Sequence, residues 1–540
     1  MLLSSTDLSR STLNRQSWLL GGVILLLLVL GNYQQAAIGF DSRFVMFAQE
    51  MLRHGPSFFP TTYGEPYPDY SATSTFFIYL LSLPFGQVSS FTAWLPTAIS
   101  GAIIAMLVFR LVGSHSRQWA AASIAWMLLS ITFITEARAV SLDLMLAAVA
   151  VAVFYTGYAA DHFGAPRRTV GLLALLVLGF AIRGPIGLVV PTGMLCSYYL
   201  LSGQFRRLFI FGLMALALLL LGIGVLLLLA EHTGGAAFVQ DVIRMQVTGR
   251  IDGSEGASGP LYYFTSSLGN YALAYPFALL VLAAVLATGR ADRGPKLQLI
   301  SYAAAAGLIV MIGLSIPLAK KARYLLPMLP MAAIIAGYPF AVIGTRTFSF
   351  IRRLTLGLWW LMPALLFATL CVGHHRMPEA LGSITPILVL LAVLQAAATF
   401  LLFKPSYHAM GLATTAVAAV WATYILVVEP VERQMYDTQS LTQSVMQLVD
   451  ADSATLVLHG MGKDAKAIKF MVNVDRDFHP AFTDTAKQLE AIAAPAYALM
   501  TQQDFNKLKA TPLGALAPVL RDRFDKDDYV LLRLGQQPLN

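Results

Sequence analysis

Charged residues are scarce in this sequence of 540 residues. Lys, Arg, Asp and Glu together make up 12% of it, whereas 57% of the residues are hydrophobic. Soluble globular proteins carry about twice that share of charged residues, roughly 25%. Apolar runs long enough to cross a hydrocarbon core of roughly 30 Å recur almost to the end of the sequence, for example at residues 18–30 and 387–403. The composition therefore excludes an ordinary soluble protein and indicates a polytopic helical membrane protein.

Cysteine is scarce as well. The two cysteines, Cys196 and Cys371, fall in different apolar segments. This excludes a disulfide framework and a cysteine metal cluster. The net charge is +8, but the cations lie mostly in short loops between apolar segments. That pattern sets the topology of a membrane protein, so binding to nucleic acid is not expected.

Hydropathy predicts about thirteen spans, with the N-terminus in the cytoplasm. The spans lie near residues 17–38, 92–112, 118–135, 141–160, 169–184, 187–201, 208–230, 269–288, 298–317, 323–343, 354–373, 381–403 and 408–428. The first span is too long for a typical signal peptide and no cleavage site follows it, so we interpret it as a retained anchor. Lys and Arg are denser in the loops that this topology places inside, as the positive-inside rule requires. The odd number of spans then puts the C-terminal segment outside.

The predicted fold class is an all-α polytopic membrane protein with a small extracytoplasmic α/β domain at its C-terminus. The membrane domain is expected over residues 1–428 and the α/β domain over residues 429–540. Within the latter, SATLVLHG (453–460), YALMTQQDFNKLK (497–509) and DDYVLLRLG (527–535) indicate a strand, a strand followed by a helix, and a strand. Residues 39–91 form a first outer loop with an interfacial or re-entrant helix at 73–86. The Gly/Ser-rich loop 231–268 is expected to be mobile.

Charged and aromatic residues collect at the outer ends of the predicted spans. They are Asp41, Arg43, Glu65, Tyr67, Asp69, Tyr70, Glu136, Arg138, Asp143, Arg183, Lys320, Lys321, Arg323 and Tyr324. Outer cations run against the topology rule, and charges at membrane depth tend to mark a site. Arg and Lys suit a phosphate or diphosphate, and carboxylates suit the positioning or deprotonation of a hydroxyl.

Each of these residues also has a simpler structural interpretation. Asp143 could merely cap its helix together with Ser141. Lys320 and Lys321 could extend to lipid headgroups, and Gly184–Pro185 could be a packing kink. The coincidence of so many such residues on one face favours a site.

Two other classes of function remain open at this point. A proton-coupled or lipid-moving transporter also uses charges in the membrane. Transporters commonly carry internal repeats and broken helices near the bilayer midplane, and this sequence shows no internal repeat. A receptor or scaffold that uses the outer domain would leave the acids at the span ends without a role.

Four motifs carry a resemblance to a known family. They are FDSRFVMFAQEML (40–52), VSLDLML with Asp143, IRGPIGLVVP (182–191) and RYLLPMLP (323–330). In their order and spacing the chain resembles the lipid-linked-sugar glycosyltransferases of the GT-C fold. It is most similar to glycosyltransferase family 83, the 4-amino-4-deoxy-L-arabinose lipid A transferases and their protein-mannosyltransferase-like relatives. Two positions depart from the family pattern. Phe40 stands where the family has its first acid, so that either the register of the motif shifts by one residue or Asp41 alone does the work. Tyr70 replaces a phosphate-binding Lys.

The resemblance implies a multi-pass enzyme of the bacterial inner membrane. It would transfer a sugar, with inversion, from undecaprenyl phosphate to a periplasmic acceptor such as lipid A or lipopolysaccharide core. The implied catalytic residues are Asp41 and Asp143. The implied phosphate-binding residues are Arg43, Arg138, Arg183, Lys320, Lys321, Arg323 and Tyr324, and the implied substrate pocket is Glu65, Tyr67, Asp69 and Tyr70. No metal ligand or cofactor is assigned, a divalent cation is left open, and a monomer is expected.

Overall fold

The computed structural model describes residues 10–32, 35–39, 41–166, 168–249, 252, 256–288, 294–342, 344–404 and 408–535. They group into two compact units. The first unit comprises Met1–Gly31, Pro68–Ser74 and Trp94–Val427, and the second comprises Asn32–Tyr67, Thr75–Ala93 and Val428–Asn540. The domain boundaries expected from the sequence, at residues 428 and 429, stay a prediction.

The first unit is built of apolar helices. They are Arg10–Val29, Ser90–Gly113, Arg117–Leu128, Ile131–Ala137, Leu142–His162, Thr169–Leu201, Phe205–Ile243, Tyr262–Asn270, Ala274–Ala287, Pro295–Ser315, Leu329–Gly337, Arg346–Arg376, Pro378–Leu381, Thr385–Leu402 and His408–Thr423. The helix Leu142–His162 is the most enclosed of the candidate spans, because 83% of its apolar window is buried. This central helix is apolar on all faces, which is typical of a helix surrounded by others.

Nine helices among the described residues are long and apolar enough to cross a membrane, or up to eleven if each of two bent pairs forms one span. The sequence predicts about thirteen. The two numbers differ where the helices are interrupted. The predicted spans 169–184 and 187–201 are the two arms of one interrupted helical segment, Thr169–Leu201, which counts once among the nine. The predicted span 323–343 consists of a 3-10 helix over Ala322–Met328, an α-helix over Leu329–Gly337 and a 3-10 helix over Tyr338–Phe340, and each of these alone is shorter than a full crossing needs.

The segment Thr169–Leu201 is a helical hairpin rather than a straight helix. Its backbone leaves helical geometry at Arg183 (φ −137°, ψ 19°) and Gly184 (φ 60°, ψ −147°). The two arms then approach so closely that an added Cβ at Gly187 would lie 1.8 Å from the carbonyl oxygen of Gly179. Only glycine adopts the Gly184 conformation without strain. The break therefore falls where the sequence Gly184–Pro185 predicts it.

The outer loop predicted over residues 231–268 is largely helical where it is described. The helix Phe205–Ile243 continues through a bend at Gly234 and Gly235, and a π-helix follows over Arg244–Thr248. Residues 250, 251 and 253–255 of this loop lie outside the described residues, and so does Phe40. The expected mobility of the loop stays a prediction.

The second unit combines helices with a mixed sheet. Its helices are Asp41–His54, Glu429–Met435, Gln439–Ala451, Ala465–Met471, Ala486–Glu490 and Gln502–Lys507, together with most of Thr73–Ser82. Its strands are β1 (Thr61–Thr62), β2 (Glu65–Pro66), β3 (Thr455–His459), β4 (Ala481–Thr483), β5 (Ala496–Thr501), β6 (Leu520–Phe524) and β7 (Asp527–Leu534). Strands β3–β7 form one sheet in the order β4-β3-β5-β7-β6. Strand β3 runs parallel to β4 and β5, and β7 runs antiparallel to β5 and β6. The predicted C-terminal α/β fold is confirmed.

The helix Asp41–His54 is amphipathic, and its apolar face is buried. Phe44, Phe47 and Met51 are each at most 3% exposed, and their spacing of three and four residues places them on one side of the helix. Asp41 occupies the first turn, where the helix dipole favours a negative charge. Burial of this face therefore fixes the direction in which the polar residues of the first turn emerge.

Candidate functional site

Asp143 lies in the first turn of the central helix Leu142–His162. The hydroxyl of Ser141 caps this helix by accepting the backbone N–H of Leu144 at 3.2 Å. In the simpler interpretation, Asp143 would take part in capping this helix. The capping hydrogen bond comes from Ser141 and not from the aspartate. Asp143 is only 3% exposed, so its carboxylate is withdrawn from water and needs partners.

Two guanidinium groups meet the carboxylate of Asp143. Nη2 of Arg183 lies 3.0 Å from Oδ1 and 3.3 Å from Oδ2, and Nε of Arg323 lies 3.2 Å from Oδ2. The three residues come from three separate elements, because Arg183 sits at the hairpin break and Arg323 in the 3-10 helix Ala322–Met328. The carboxylate of Asp143 thus lies between two guanidinium groups, and it holds both of them at one place.

Two tyrosine rings pack against Arg183. The guanidinium carbon lies 5.1 Å from the ring centre of Tyr324 and 5.9 Å from that of Tyr70. Cation–π contacts of this kind hold a guanidinium in one orientation. The ring of Tyr70 also lies directly over Gly184, where an added Cβ would come within 2.5 Å of it. The glycine at the hairpin break therefore makes room for Tyr70 as well as turning the chain.

Asp69 directly precedes Tyr70, and its carboxylate accepts hydrogen bonds from the backbone and from a side chain. Its Oδ1 accepts the backbone N–H of Tyr70 at 2.8 Å and the side-chain amide of Gln246 at 3.1 Å. Asp69 is 9% exposed. The contact with Gln246 links the π-helix Arg244–Thr248 to the cluster around Arg183.

A cavity of about 350 Å³ lies beside Arg323. Its polar lining comprises Thr132, Thr135, Glu136, Asn270, Lys321 and Arg323. Lys321 is exposed, and the carboxylate of Glu136 accepts a hydrogen bond from the Ser141 hydroxyl. The cavity thus presents charges of both signs beside hydroxyl and amide groups. This chemistry suits a polar, hydroxyl-bearing group with an anion attached.

Two of the predicted phosphate-binding cations direct hydrogen bonds at backbone carbonyls. Nη1 of Arg138 donates to the carbonyl oxygens of Leu28 and Leu30 at 3.0 Å and 2.7 Å, where the helix Arg10–Val29 ends. Arg138 therefore acts as a C-terminal cap for that helix. Nζ of Lys320 donates to the carbonyl oxygen of Ser258 at 3.0 Å. These contacts are structural, and a phosphate-binding role for either residue stays a prediction.

In the second unit, Arg43 contacts Tyr67. Nη1 of Arg43 donates to the Tyr67 hydroxyl at 3.1 Å, and that hydroxyl donates to Oδ1 of Asp464 at 3.1 Å. Burial raises the pKa of the Tyr67 hydroxyl to about 12, although the positive charge of Arg43 opposes the rise. The hydroxyl is therefore protonated at neutral pH and keeps its donor role. Asp41, two residues before Arg43, is 8% exposed.

Glu65 is also in the second unit, and its contact is at the surface. Its carboxylate lies 2.8 Å from Nζ of Lys463, and both side chains are more than half exposed. An exposed pair of this kind contributes little to stability. A role for Glu65 in a substrate pocket stays a prediction.

The structure thus groups the predicted residues into two sets. The first unit brings together Asp143, Arg183, Arg323, Tyr324 and Tyr70, with Asp69, Glu136 and Lys321 around them. The second unit holds Asp41, Arg43, Tyr67 and Glu65. Sequence reasoning missed Gln246, Thr132, Asn270 and Asp464. A lone polar residue far along the chain carries no signal of its neighbour, since 397 positions separate Tyr67 from Asp464.

No set of three or more His, Cys, Asp or Glu side chains that could hold a metal ion occurs in the part of the chain that the structure describes.

Comparison with known proteins gives a partial match to one family and a similar fold among solved structures. Residues 33–234, less than half of the chain, match the model of the dolichyl-phosphate-mannose-protein mannosyltransferase family. No curated protein matches the sequence. The crystal structure of ArnT from Cupriavidus metallidurans bound to undecaprenyl phosphate has a TM-score of 0.69 with this chain at 16% identity, over 98% of this chain and 100% of that chain. Its apo form has a TM-score of 0.65 at 18% identity, over 97% and 98%.

The chain has the GT-C fold. At these identities the solved structures establish the fold alone, and the family match is limited to residues 33–234. The predicted fold class and the predicted enzyme class, a glycosyltransferase of the GT-C fold, are thereby confirmed. The predicted multi-pass membrane protein is confirmed as well.

Proposed function

We propose that this chain transfers a sugar from a polyprenyl-phosphate donor, undecaprenyl phosphate in bacteria, to a cell-envelope acceptor outside the cytoplasm, with inversion. The observation that carries the proposal is the buried Asp143 carboxylate between Arg183 and Arg323, beside a polar cavity. The likeness to ArnT bound to undecaprenyl phosphate supports the choice of donor. The proposed location is the bacterial inner membrane, with the N-terminus cytoplasmic and the C-terminal segment periplasmic.

The guanidinium groups would stabilise the leaving phosphate. When the bond between the sugar and the phosphate breaks, negative charge grows on the phosphate oxygens. Fixed cations in a site with little water stabilise that charge far more than water-exposed cations do, and they need no reorganisation as the reaction proceeds. Asp143 would keep Arg183 and Arg323 in place. Arg183 contacts both of its carboxylate oxygens, and Arg323 contacts Oδ2. Lys321 and Tyr324 would add further donors to the phosphate.

Asp41 is the proposed base. A carboxylate that accepts the proton of an attacking hydroxyl increases its nucleophilicity as the bond to the sugar forms. Asp41 is nearly buried at the N-terminus of its helix. Arg43, which lies two residues after Asp41 on the same turn, would bind the donor phosphate. The variant Asp41→Ala tests the role of Asp41.

The cavity beside Arg323 is the proposed place for the polar end of a substrate. Its volume of about 350 Å³ is at the lower end of the range for small-molecule sites, roughly 300–1,000 Å³. Glu136 and the threonine hydroxyls can accept or donate to sugar hydroxyls, while Lys321 and Arg323 favour an anion. Lipid A and lipopolysaccharide core are the proposed acceptors, since both are glycans that carry phosphate.

The decisive experiment supplies purified protein in liposomes with undecaprenyl-phosphate-linked sugars and candidate acceptors. Release of undecaprenyl phosphate together with a glycosylated acceptor is the expected result. Asp41→Ala should abolish it, and undiminished transfer by this variant would remove Asp41 from the mechanism. If the donor stays intact while labelled lipid or solute crosses the membrane, the transporter hypothesis replaces this one.

A further inference from the structure

The C-terminal segment of the second unit holds the helix Asp41–His54 at its second half. The side-chain amide of Gln49 donates to the carbonyl oxygen of Val472 at 3.2 Å, and Nη2 of Arg53 donates to that of Val474 at 3.0 Å. Both acceptors are backbone atoms just after the helix Ala465–Met471. Backbone carbonyls have no rotamers to change, so these contacts fix where the helix Asp41–His54 lies against the segment.

A third contact from the same region reaches the first turn of that helix through Tyr67. The Tyr67 hydroxyl has one proton and donates it to Asp464, so its lone pairs remain to accept from Arg43. The ring of Tyr67 packs 5.1 Å from that of Phe47 and lies 5.6 Å from the guanidinium carbon of Arg43. The ring is therefore held in place by the helix, and the carboxylate of Asp464 sets the direction of its hydroxyl.

The carboxylate of Asp464 makes no cap for its own helix. Asp464 stands at the N-cap position of Ala465–Met471, but its side chain forms no capping hydrogen bond there. Its neighbour Lys463 pairs with Glu65 instead. The Asp464 carboxylate instead accepts the hydrogen bond of the Tyr67 hydroxyl.

We propose that Asp464 is a positioning residue that acts through the Tyr67 hydroxyl to fix the orientation of the Arg43 guanidinium, the group to which the proposed function assigns binding of the donor phosphate. This inference rests on the proposed function, and it gives the C-terminal segment a part in the reaction. Because the Tyr67 hydroxyl stays protonated at neutral pH, the direction of both hydrogen bonds is kept. Asp464 is exposed. Replacing it should therefore change the KM for donor less than the loss of a buried ion pair would.

The test compares Asp464→Asn and Tyr67→Phe with the wild type in the donor-turnover assay. If Arg43 binds phosphate in the ground state and the transition state alike, each variant should raise the KM for donor roughly tenfold, with a much smaller change in kcat. The double variant should be no worse than Tyr67→Phe alone, because both changes break the same chain of contacts. Lys466→Ala is the matched control, since Lys466 is on the same short helix and pairs with exposed Asp527 at 3.4 Å. It should keep the wild-type KM.

Additive effects in the double variant, or a wild-type KM in Tyr67→Phe, would overturn the proposal. A wild type that consumes no donor would instead defeat the proposed function, and hydrogen exchange then decides the positioning by itself. Faster exchange over residues 41–54 in Asp464→Asn than in Lys466→Ala supports it, and equal exchange in the two variants rules it out.

Discussion

At the scale of single residues, the proposed chemistry depends on one buried carboxylate. Asp143 lies between two guanidinium groups that the fold brings together, and these groups are what a leaving phosphate would meet. Removing water from such a cluster is costly, and the cost is recovered only while each charge keeps its partner. Arg183 and Arg323 therefore depend on Asp143 for their positions in the cluster.

Asp143→Asn should lower donor turnover by a factor of about 100 or more. Loss of one partner from a buried ion pair costs about 3–5 kcal/mol, and both arginines lose their common anchor. The measurement is kcat/KM for donor consumption at fixed protein concentration. Asp161→Asn is a fitting control, because Asp161 pairs with Arg207 at the other end of the same helix. Equal losses in the two variants would show that the helix, and not the site, had been damaged.

At the scale of elements, the helical hairpin Thr169–Leu201 places Arg183 where it can act. Its break was predictable because Gly-Pro interrupts an apolar run. The close packing of its arms was not, because it depends on Gly179 and Gly187, which are 8 residues apart and look ordinary in the sequence. The strands β3, β5 and β7 were predictable because each is a short, largely apolar run. Strands β4 and β6 were missed, because β4 has 3 residues and β6 carries the charged run Leu520–Phe524.

Gly184→Ala should destabilise the protein strongly. The new Cβ would lie 2.5 Å from the Tyr70 ring in a backbone conformation with φ of 60°, and strain and overpacking together cost about 2–6 kcal/mol. Thermal unfolding in detergent, followed by tryptophan fluorescence, measures the loss. Gly235→Ala separates the two causes, since Gly235 also has positive φ but an added Cβ there meets nothing within 4 Å. A Gly184 variant no less stable than Gly235→Ala would contradict the role assigned to Tyr70.

Acidification should loosen strand β3 through His459. Burial lowers the pKa of His459, which is 5% exposed and hydrogen-bonded to the Thr483 hydroxyl at 2.9 Å. The unfolded chain then binds a proton more readily than the folded one. The stabilisation is full above the unfolded pKa of about 6.5 and is lost as pH falls through and below it.

Hydrogen exchange of residues 455–459, corrected for intrinsic rates, should therefore accelerate between neutral pH and mildly acidic pH. His459→Gln should flatten this dependence, because glutamine has no proton to gain in that range. An identical pH profile in the variant and the wild type would assign the effect to other groups.

At the scale of the whole molecule, the sequence was sufficient for the class of fold, and it singled out most of the residues that the structure groups around Asp143. Asp143, Arg183 and Arg323 were recognisable because charges at the ends of apolar spans are costly and need a cause. The part played by Arg138 as a helix cap was not recognisable, since its carbonyl partners lie more than 100 positions away. The Tyr67–Asp464 contact was beyond reach for the same reason. What sequence patterns report is local periodicity and charge, and these contacts depend on how distant segments pack.

The central claim is that the chain moves a sugar from a polyprenyl phosphate with the help of the Asp143 cluster. The most direct measurement follows a radiolabelled sugar on undecaprenyl phosphate in liposomes that contain acceptor glycolipid and either the wild type or Asp143→Asn. We expect label to pass to the acceptor with the wild type and to stay on the lipid phosphate with the variant. Label that never leaves the lipid phosphate, or leaves it equally fast with both proteins, would contradict the account.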